Sequence, residues 1–240
     1  MTTKRSLDVC FSPALIHLHD ISDSIVVVID VLRATSSICV AFANGVKSIV
    51  PVATVEESMA YKEKGYLIGA ERNGEMLGGF DLGNSPFSYM DPKVKGRDIA
   101  LTTTNGTQAM EAAKNAYQVV AGSFLNLDVL SAWLKVQDKN VLMLCSGWKN
   151  SFNLEDTLLA GAVVDQLHSD FDTSLLFDSA IAARHLYQLA KDDLYLFLEN
   201  SSHRKRLEKL QIDQVIKYCL TPNQAPVIPV LVDGALVNIA

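Results

Sequence analysis

The 240-residue chain is 49% hydrophobic and 20% charged, which places it among ordinary globular proteins and outside the composition of disordered segments. That length allows one large domain or two small ones, able to bury roughly 70–75% of the surface the unfolded chain exposes. A formal charge of −6 argues against nonspecific nucleic-acid binding, which needs Lys and Arg to neutralise phosphates, but leaves room for a small anion held by local arginines or backbone N–H groups. The four cysteines, Cys10, Cys39, Cys145 and Cys219, are scattered without metal or redox spacing, so buried free thiols are expected. There is no basic, apolar leader and no uninterrupted apolar stretch of about 18 residues, so a cytoplasmic protein with no membrane partner is expected.

Three segments share one order of parts: a short apolar run, a cluster of small polar residues, then a helical pattern. In chain order they begin at residues 25–30 (IVVVID), at residue 99 ahead of LTTTNGT, and at residues 141–145 (VLMLC). Helices are expected over residues 38–44, 108–115 and 154–168. Strands rich in Val, Ile and Leu on both faces are those of a buried parallel sheet, so the fold class is α/β, with a mixed, mostly parallel central sheet between helical layers. Further strands are expected at residues 48–52, 66–70, 118–121 and 227–232. Residues 55–64 read as a helix opened by Thr54, with Glu57 completing a capping box.

Residues 71–96 are rich in Gly, Pro, Asn and Asp and lack sustained periodicity, so they read as a long excursion and a site candidate. The whole chain is read as one domain, 1–240. The repeated order of parts hints at two similar halves without proving duplication. An apolar sheet edge or helix face would be compatible with a homo-oligomer.

In open α/β sheets ligands bind beyond the carboxyl ends of strands. Asp30 ends a β-branched run and is a good metal-ligand position, with Arg33, Thr35 and Ser36 around it; capping of the next helix is the plainer role. The run Thr102, Thr103, Thr104, Asn105, Gly106, Thr107 resembles an anion cradle before a helix, but it lacks the Lys and Gly spacing of a nucleotide-binding loop. At the third strand end stand Ser146, Trp148 and Lys149, followed by Glu155 and Asp156 in the first turn of a helix. Neighbours on a helix differ by about 100°, so one of these two acids is expected to face the crevice and the other to stay in solvent. Glu71, Arg72, Asp81 and Asn84 add polar groups from the middle segment. The oxygen donors Asp30, Glu71, Asp81, Glu155 and Asp156 suit a hard cation such as Mg²⁺ better than zinc. His203 is a candidate neighbour of the site, while Tyr195, Phe197 and the KRLEKL stretch at 205–210 read as core and a solvated helix face.

At these residues the chain resembles the 2-phosphosulfolactate phosphatase family. The resemblance lies in DVLRATS (30–36), GAERNG (69–74), GFDLGNSP (79–86), TTTNGT (102–107), CSGW (145–148) and NLEDTLLAGA (153–162), and so covers most of the chain. The family's usual CAGW is CSGW here. The resemblance implies a three-layer α/β/α fold, dependence on Mg²⁺, and hydrolysis of 2-phosphosulfolactate to 3-sulfolactate and phosphate. On this reading Asp30, Arg33 and Glu155 are catalytic. The substrate would be bound by Arg33, Thr35, Ser36, Arg72, Asn84, Thr103, Thr104, Asn105, Gly106, Thr107 and Lys149, with Arg33 and Arg72 dividing its anionic ends. The haloacid-dehalogenase-like phosphatases place a second Asp two residues after the first, where this chain has Leu32, so their aspartyl-phosphate mechanism does not transfer by motif. Metal-assisted attack by water is favoured, and a phospho-Asp30 intermediate stays open. A phosphatase for another small phosphorylated acid, or a noncatalytic phosphate-ester sensor, are the alternatives.

Overall fold

A computed structural model describes residues 5–72, 75–103, 105–171 and 176–240. Its sheet has ten strands in the spatial order β1-β8-β2-β7-β9-β10-β3-β6-β4-β5. These are β1 (Leu7–Cys10), β2 (Ser24–Ile29), β3 (Ser48–Pro51), β4 (Leu67–Arg72), β5 (Glu75–Met76), β6 (Asp98–Thr102), β7 (Gln118–Gly122), β8 (Asn140–Cys145), β9 (Pro229–Val232) and β10 (Ala235–Asn238). The mixed sheet between helices makes a three-layer α/β/α fold.

Two parallel sets make up most of the sheet. β1, β8, β2 and β7 form one, and β3, β6 and β4 the other. Between them lies the C-terminal hairpin β9–β10, antiparallel to β7 on one side and to β3 on the other. Three antiparallel steps reverse direction, so the two sets run opposite ways across a flat projection of the sheet. Sheets twist by roughly 20–25° per strand, and the five steps from β2 to β6 accumulate about 100–125°. At the carboxyl end of β6, the turn that follows reaches the end of β2, where a Cβ on Gly106 would lie 3.1 Å from Asp30 Oδ2.

The alternation of β2 sorts its side chains between two cores. Ile25, Val27 and Ile29 join Val120, Val141, Met143 and the helices α4 (Leu127–Lys135), α5 (Leu154–Leu167) and α6 (Asp178–Ala190) on one face. Val26 and Val28 join Ile49, Ile99, Leu101, Val119 and the helices α1 (Ala34–Ala43) and α3 (Gly106–Ala112) on the other. The helix α2 (Val55–Glu63) opens with the expected capping box, in which the Glu57 N–H donates to the Thr54 hydroxyl at 3.1 Å. The C-terminal third adds α7 (Leu194–Phe197), α8 (Ser202–Glu208) and α9 (Asp213–Cys219), then returns the chain through the sheet. All four cysteines are buried and free. Among the described residues no helix is long and apolar enough to cross a membrane.

The middle segment divides in two. Its first part lies along β4, with a parallel bridge between Gly69 and Leu82. The rest forms two short 3-10 helices, Pro86–Met90 and Pro92–Val94, whose Tyr89 and Val94 are wholly buried. The expected excursion is therefore a site wall at one end and core at the other.

The α5–α6 pair meets closely because Gly161 has no side chain: a Cβ there would stand 2.0 Å from the Ala183 carbonyl oxygen. Gly161→Ala is expected to cost about 1–3 kcal/mol by forcing the helices apart. Gly78→Ala, where an added Cβ meets nothing within 4 Å, should stay within about 0.5 kcal/mol of the parent. Urea unfolding of the two variants checks this, and equal midpoints would contradict the close approach.

Candidate functional site

Asp30 leaves the end of β2 buried, and its Oδ1 accepts from the Ala34 N–H at 3.3 Å at the start of α1. The other side of the carboxylate faces the turn ahead of α3. A Cβ added to Gly106 would meet Asp30 Oδ2 at 3.1 Å and the Ala34 Cβ at 2.9 Å, so glycine is what allows β2 and β6 to converge here. Burial pushes the Asp30 pKa up to about 6, opposed by the nearby His203 ring and the Ala34 N–H and reinforced by the charges of Glu71 and Glu155. Burial also lowers the pKa of Arg33, which follows the cis Leu32–Arg33 peptide; the charges of Glu71, Cys219 and Asp30 oppose that shift.

Glu155 and Asp156 overturn the expectation that one acid would stay in solvent: they are 1% and 0% exposed. The first turn of α5 is covered on both of their faces, so the two side chains diverge inside the protein instead of across its surface. Asp156 accepts from the Val31 N–H at 2.9 Å, the Gly147 N–H at 3.1 Å and the Asn153 amide at 2.9 Å, tying the ends of β2 and β8 to α5. Burial raises its pKa well above the ordinary carboxylate value, reinforced by Glu155 and Asp30 and opposed by the hydrogen bonds from Val31 and Asn153. Glu155 Oε1 accepts from the Asn153 amide at 3.1 Å and pairs with the ring of His203 on α8. Glu155 Oε2 and Asn153 Oδ1 are buried without a hydrogen-bond partner among the described residues.

A cavity of about 350 Å³ opens above these groups, lined on one side by Asp30, Arg33, Glu71, Asn84, Thr103 and Asn105. Leu32, Trp148 and Leu207 supply its apolar surface, and His203, Lys205, Arg206 and Lys209 close it from the α8 end. It shares Glu71, Thr103 and Trp148 with a larger groove of about 1330 Å³, which Thr107 and Lys149 line.

Register along β4 decides which residues of the middle segment reach the cavity. With Leu82 beside Gly69, Asn84 comes level with Glu71, and its amide donates to Glu71 Oε2 at 3.4 Å. Asp81 instead accepts from the Ile68 N–H at 3.0 Å and faces Lys62 at 3.9 Å. Ile68 lies three residues before Glu71, about 10 Å along an extended strand, so Asp81 stands apart from the other acids. Thr35 and Ser36 are wholly buried behind the cavity. Thr35 Oγ1 accepts from the Asp30 N–H at 3.1 Å, and Ser36 Oγ donates to the Val31 carbonyl at 2.8 Å, so both hydroxyls shape the turn after β2. Thr103 Oγ1 accepts from the Thr107 N–H at 3.1 Å, and Asn105 Oδ1 from the Lys149 N–H at 3.3 Å, bracing the polar turn before α3. Thr104 and the side chain of Arg72 lie outside the described residues.

The α8 wall is what sequence reasoning missed. The KRLEKL stretch is not a plain solvated face: Lys205, Arg206, Leu207 and Lys209 line the cavity. The usable signal was the spacing of His203, Arg206 and Leu207 at i, i+3 and i+4, which puts them on one side of a helix. Among the described residues no three acids or histidines converge as a ready cation cage.

An α/β sheet whose strand ends carry a partly enclosed cavity lined by both acidic and basic side chains defines a protein with a small-molecule site suited to a charged ligand. The 2-phosphosulpholactate phosphatase family model matches residues 10–234. A protein of Thermotoga petrophila named probable 2-phosphosulfolactate phosphatase is 41% identical over 211 residues, covering 88% of this chain and 90% of that one. Proteins of the same name from Caldanaerobacter subterraneus subsp. tengcongensis and Clostridium acetobutylicum are 37% and 31% identical, covering 90% and 96% of this chain and 90% and 99% of theirs. The chain belongs to the 2-phosphosulfolactate phosphatase family.

Burial disfavours the charge of both aspartates, but the two should respond oppositely to replacement by Asn, because Asp156 accepts from three N–H donors. A carboxylate whose folded pKa lies near 6 against an ordinary 3.8 stabilises the fold below pH 3.8 and loses that contribution as pH rises through 6. In divalent-free buffer at pH 8, Asp30→Asn is expected to raise the urea midpoint, with the gap closing as pH falls toward 4. Asp156→Asn should lower the midpoint by about 1–3 kcal/mol in free-energy terms, because its amide would face backbone N–H donors with a donor of its own. A lower midpoint for Asp30→Asn at pH 8 would show that its charge is compensated in the fold.

Proposed function

We propose that the protein is a Mg²⁺-dependent phosphatase that hydrolyses 2-phosphosulfolactate to 3-sulfolactate and inorganic phosphate. The observation that carries the reading is the buried carboxylate of Asp30, on the cavity wall beside Arg33, Thr103 and Asn105, in a chain whose relatives bear that enzyme's name. A bare cavity acid would repel a phosphate ester, so a cation between them is what makes this wall suit the substrate.

The donor set fits a hard cation. Asp30 and Glu71 offer carboxylate oxygens on the cavity wall, and Glu155 Oε2 is an orphaned buried oxygen behind them. Mg²⁺ commonly takes one or two carboxylates, keeps several waters and receives the remaining oxygens from the substrate, so no closed protein cage is required. When bound, it would withdraw charge from the phosphate oxygens and favour in-line displacement.

Around that centre the chain's own groups bind and orient the substrate. Arg33 and Thr103 face phosphate oxygens, and the Asn105 amide, whose Oδ1 is already engaged by Lys149, presents its N–H₂ group. A water oxygen attacks phosphorus as the ester P–O bond breaks, and the water's proton ends on the departing hydroxyl of 3-sulfolactate. His203, held by Glu155, is fixed at the cavity edge, and Leu32, Trp148 and Leu207 keep bulk water from the charged groups.

EDTA is expected to abolish phosphate release from 2-phosphosulfolactate, and added Mg²⁺ to restore it. Asp30→Asn should lower turnover by at least ~100-fold with the fold intact. Full activity in excess chelator would remove the cation from the mechanism, and near-parent turnover by Asp30→Asn would reduce that residue to a helix cap.

A further inference from the structure

We propose that Arg206 is the specificity-determining residue of the cavity and recognises the sulfonate of the substrate, an inference that rests on the phosphatase reading above. The side chain lines the cavity from α8, with its guanidinium 4.5 Å from the centre of the Trp148 indole. Its Nε and Nη2 are buried and have no hydrogen-bond partner among the described residues. Buried donors left unpaired are costly, and a guanidinium cannot escape the cost by losing its proton. Both N–H groups are closed to water as they stand, so an oxyanion takes them only with a turn of the side chain toward the cavity, and doing so removes the penalty on binding.

Geometry and covalent structure select which oxyanion. The guanidinium lies over the indole at 4.5 Å, and its Nε and Nη2 share one edge, two N–H donors side by side that match two oxygens of one anion. Arg206, Lys205 and Lys209 line the cavity from α8, whereas Asp30, Glu71 and Thr103, where a cation and phosphate would sit, line it from strand ends and the turns beyond them. In 2-phosphosulfolactate the phosphate and the carboxylate are carried by the same carbon, whereas the sulfonate is carried by the next. With phosphate at the Asp30 wall, the sulfonate is the group that extends furthest toward α8. His203 shares the helix face and lies 5.7 Å from the indole, so its contact with Glu155 fixes α8, and with it Arg206, relative to the end of β2.

The test compares kcat/KM on 2-phosphosulfolactate and on phospholactate, which lacks the sulfonate, for the parent, Arg206→Ala and Arg206→Lys, with urea unfolding as the check on folding. Arg206→Ala should lower the ratio of the two kcat/KM values by 10-fold or more. Arg206→Lys, which keeps the charge without the planar fork, should fall between. Equal losses on both substrates would overturn the sulfonate assignment. If the parent does not hydrolyse 2-phosphosulfolactate, the function proposed above fails on its own, and calorimetric titration with 3-sulfolactate and lactate then decides. A preference for 3-sulfolactate that disappears in Arg206→Ala supports the inference, and no preference in the parent overturns it.

Discussion

The arrangement depends on the buried carboxylate of Asp156, which binds three chain segments that are distant in sequence. One oxygen holds the backbone immediately after β2, and the other holds the turn after β8 and the amide of Asn153 ahead of α5. Backbone N–H groups at strand ends have no sheet partner, and in a dry interior each would carry a desolvation cost. Asp156 satisfies two of them at once and thereby sets the positions of Asp30 and Glu155. Charges crowd together as a result: Glu155 helps to raise the pKa of both Asp30 and Asp156, Asp30 adds to that of Asp156, and burial leaves little water to screen them. Buried acids that raise one another's pKa cost the fold stability, a trade found at functional sites.

The second constraint is topological. An ordinary doubly wound sheet places its strand ends along one edge, whereas here the β9–β10 hairpin reverses the second parallel set. The turn after β6 nevertheless reaches the end of β2, and Gly106 permits the contact. The cavity is therefore bounded by elements from both sets and by α8, which arrives from the C-terminal third. Its mixture of acidic and basic side chains follows directly from that convergence.

Much of this was legible in the sequence. The apolar runs located β2, β6 and β8, because buried strands are written in uninterrupted Val, Ile and Leu, and Thr54 with Glu57 marked the start of α2 as a local capping signal should. Asp30, Arg33 and Asn105 are conspicuous as polar residues at strand ends, and all three line the cavity. The misplacements came from information that is not local. Asp81 and Asn84 lie three residues apart in one motif, and only the register with β4 sends the second to Glu71 and the first to Ile68 and Lys62. Thr35 and Ser36 look like ligands in a list of residues, but their hydroxyls answer backbone groups of the turn that contains them. Glu155 and Asp156 followed the helical 100° rule, yet both are enclosed because neighbours cover both of their faces of that first turn.

The KRLEKL segment shows most clearly why charge alone misleads. Alternating Lys, Arg and Glu on a short helix ordinarily means a solvated face, and Glu208 is indeed exposed. Arg206 differs only through Trp148, which comes from a segment more than fifty residues earlier and gives the guanidinium an apolar surface to lie on. A ring so placed removes water from the cation, whose planar fork still suits an anion, which a lysine in the same place could not match. The pairing of a CSGW turn at the end of β8 with a basic turn of α8 is thus one functional unit split between two distant stretches of chain. Its members become recognisable together only when the His203–Glu155 contact has brought α8 down onto the carboxyl ends of the strands.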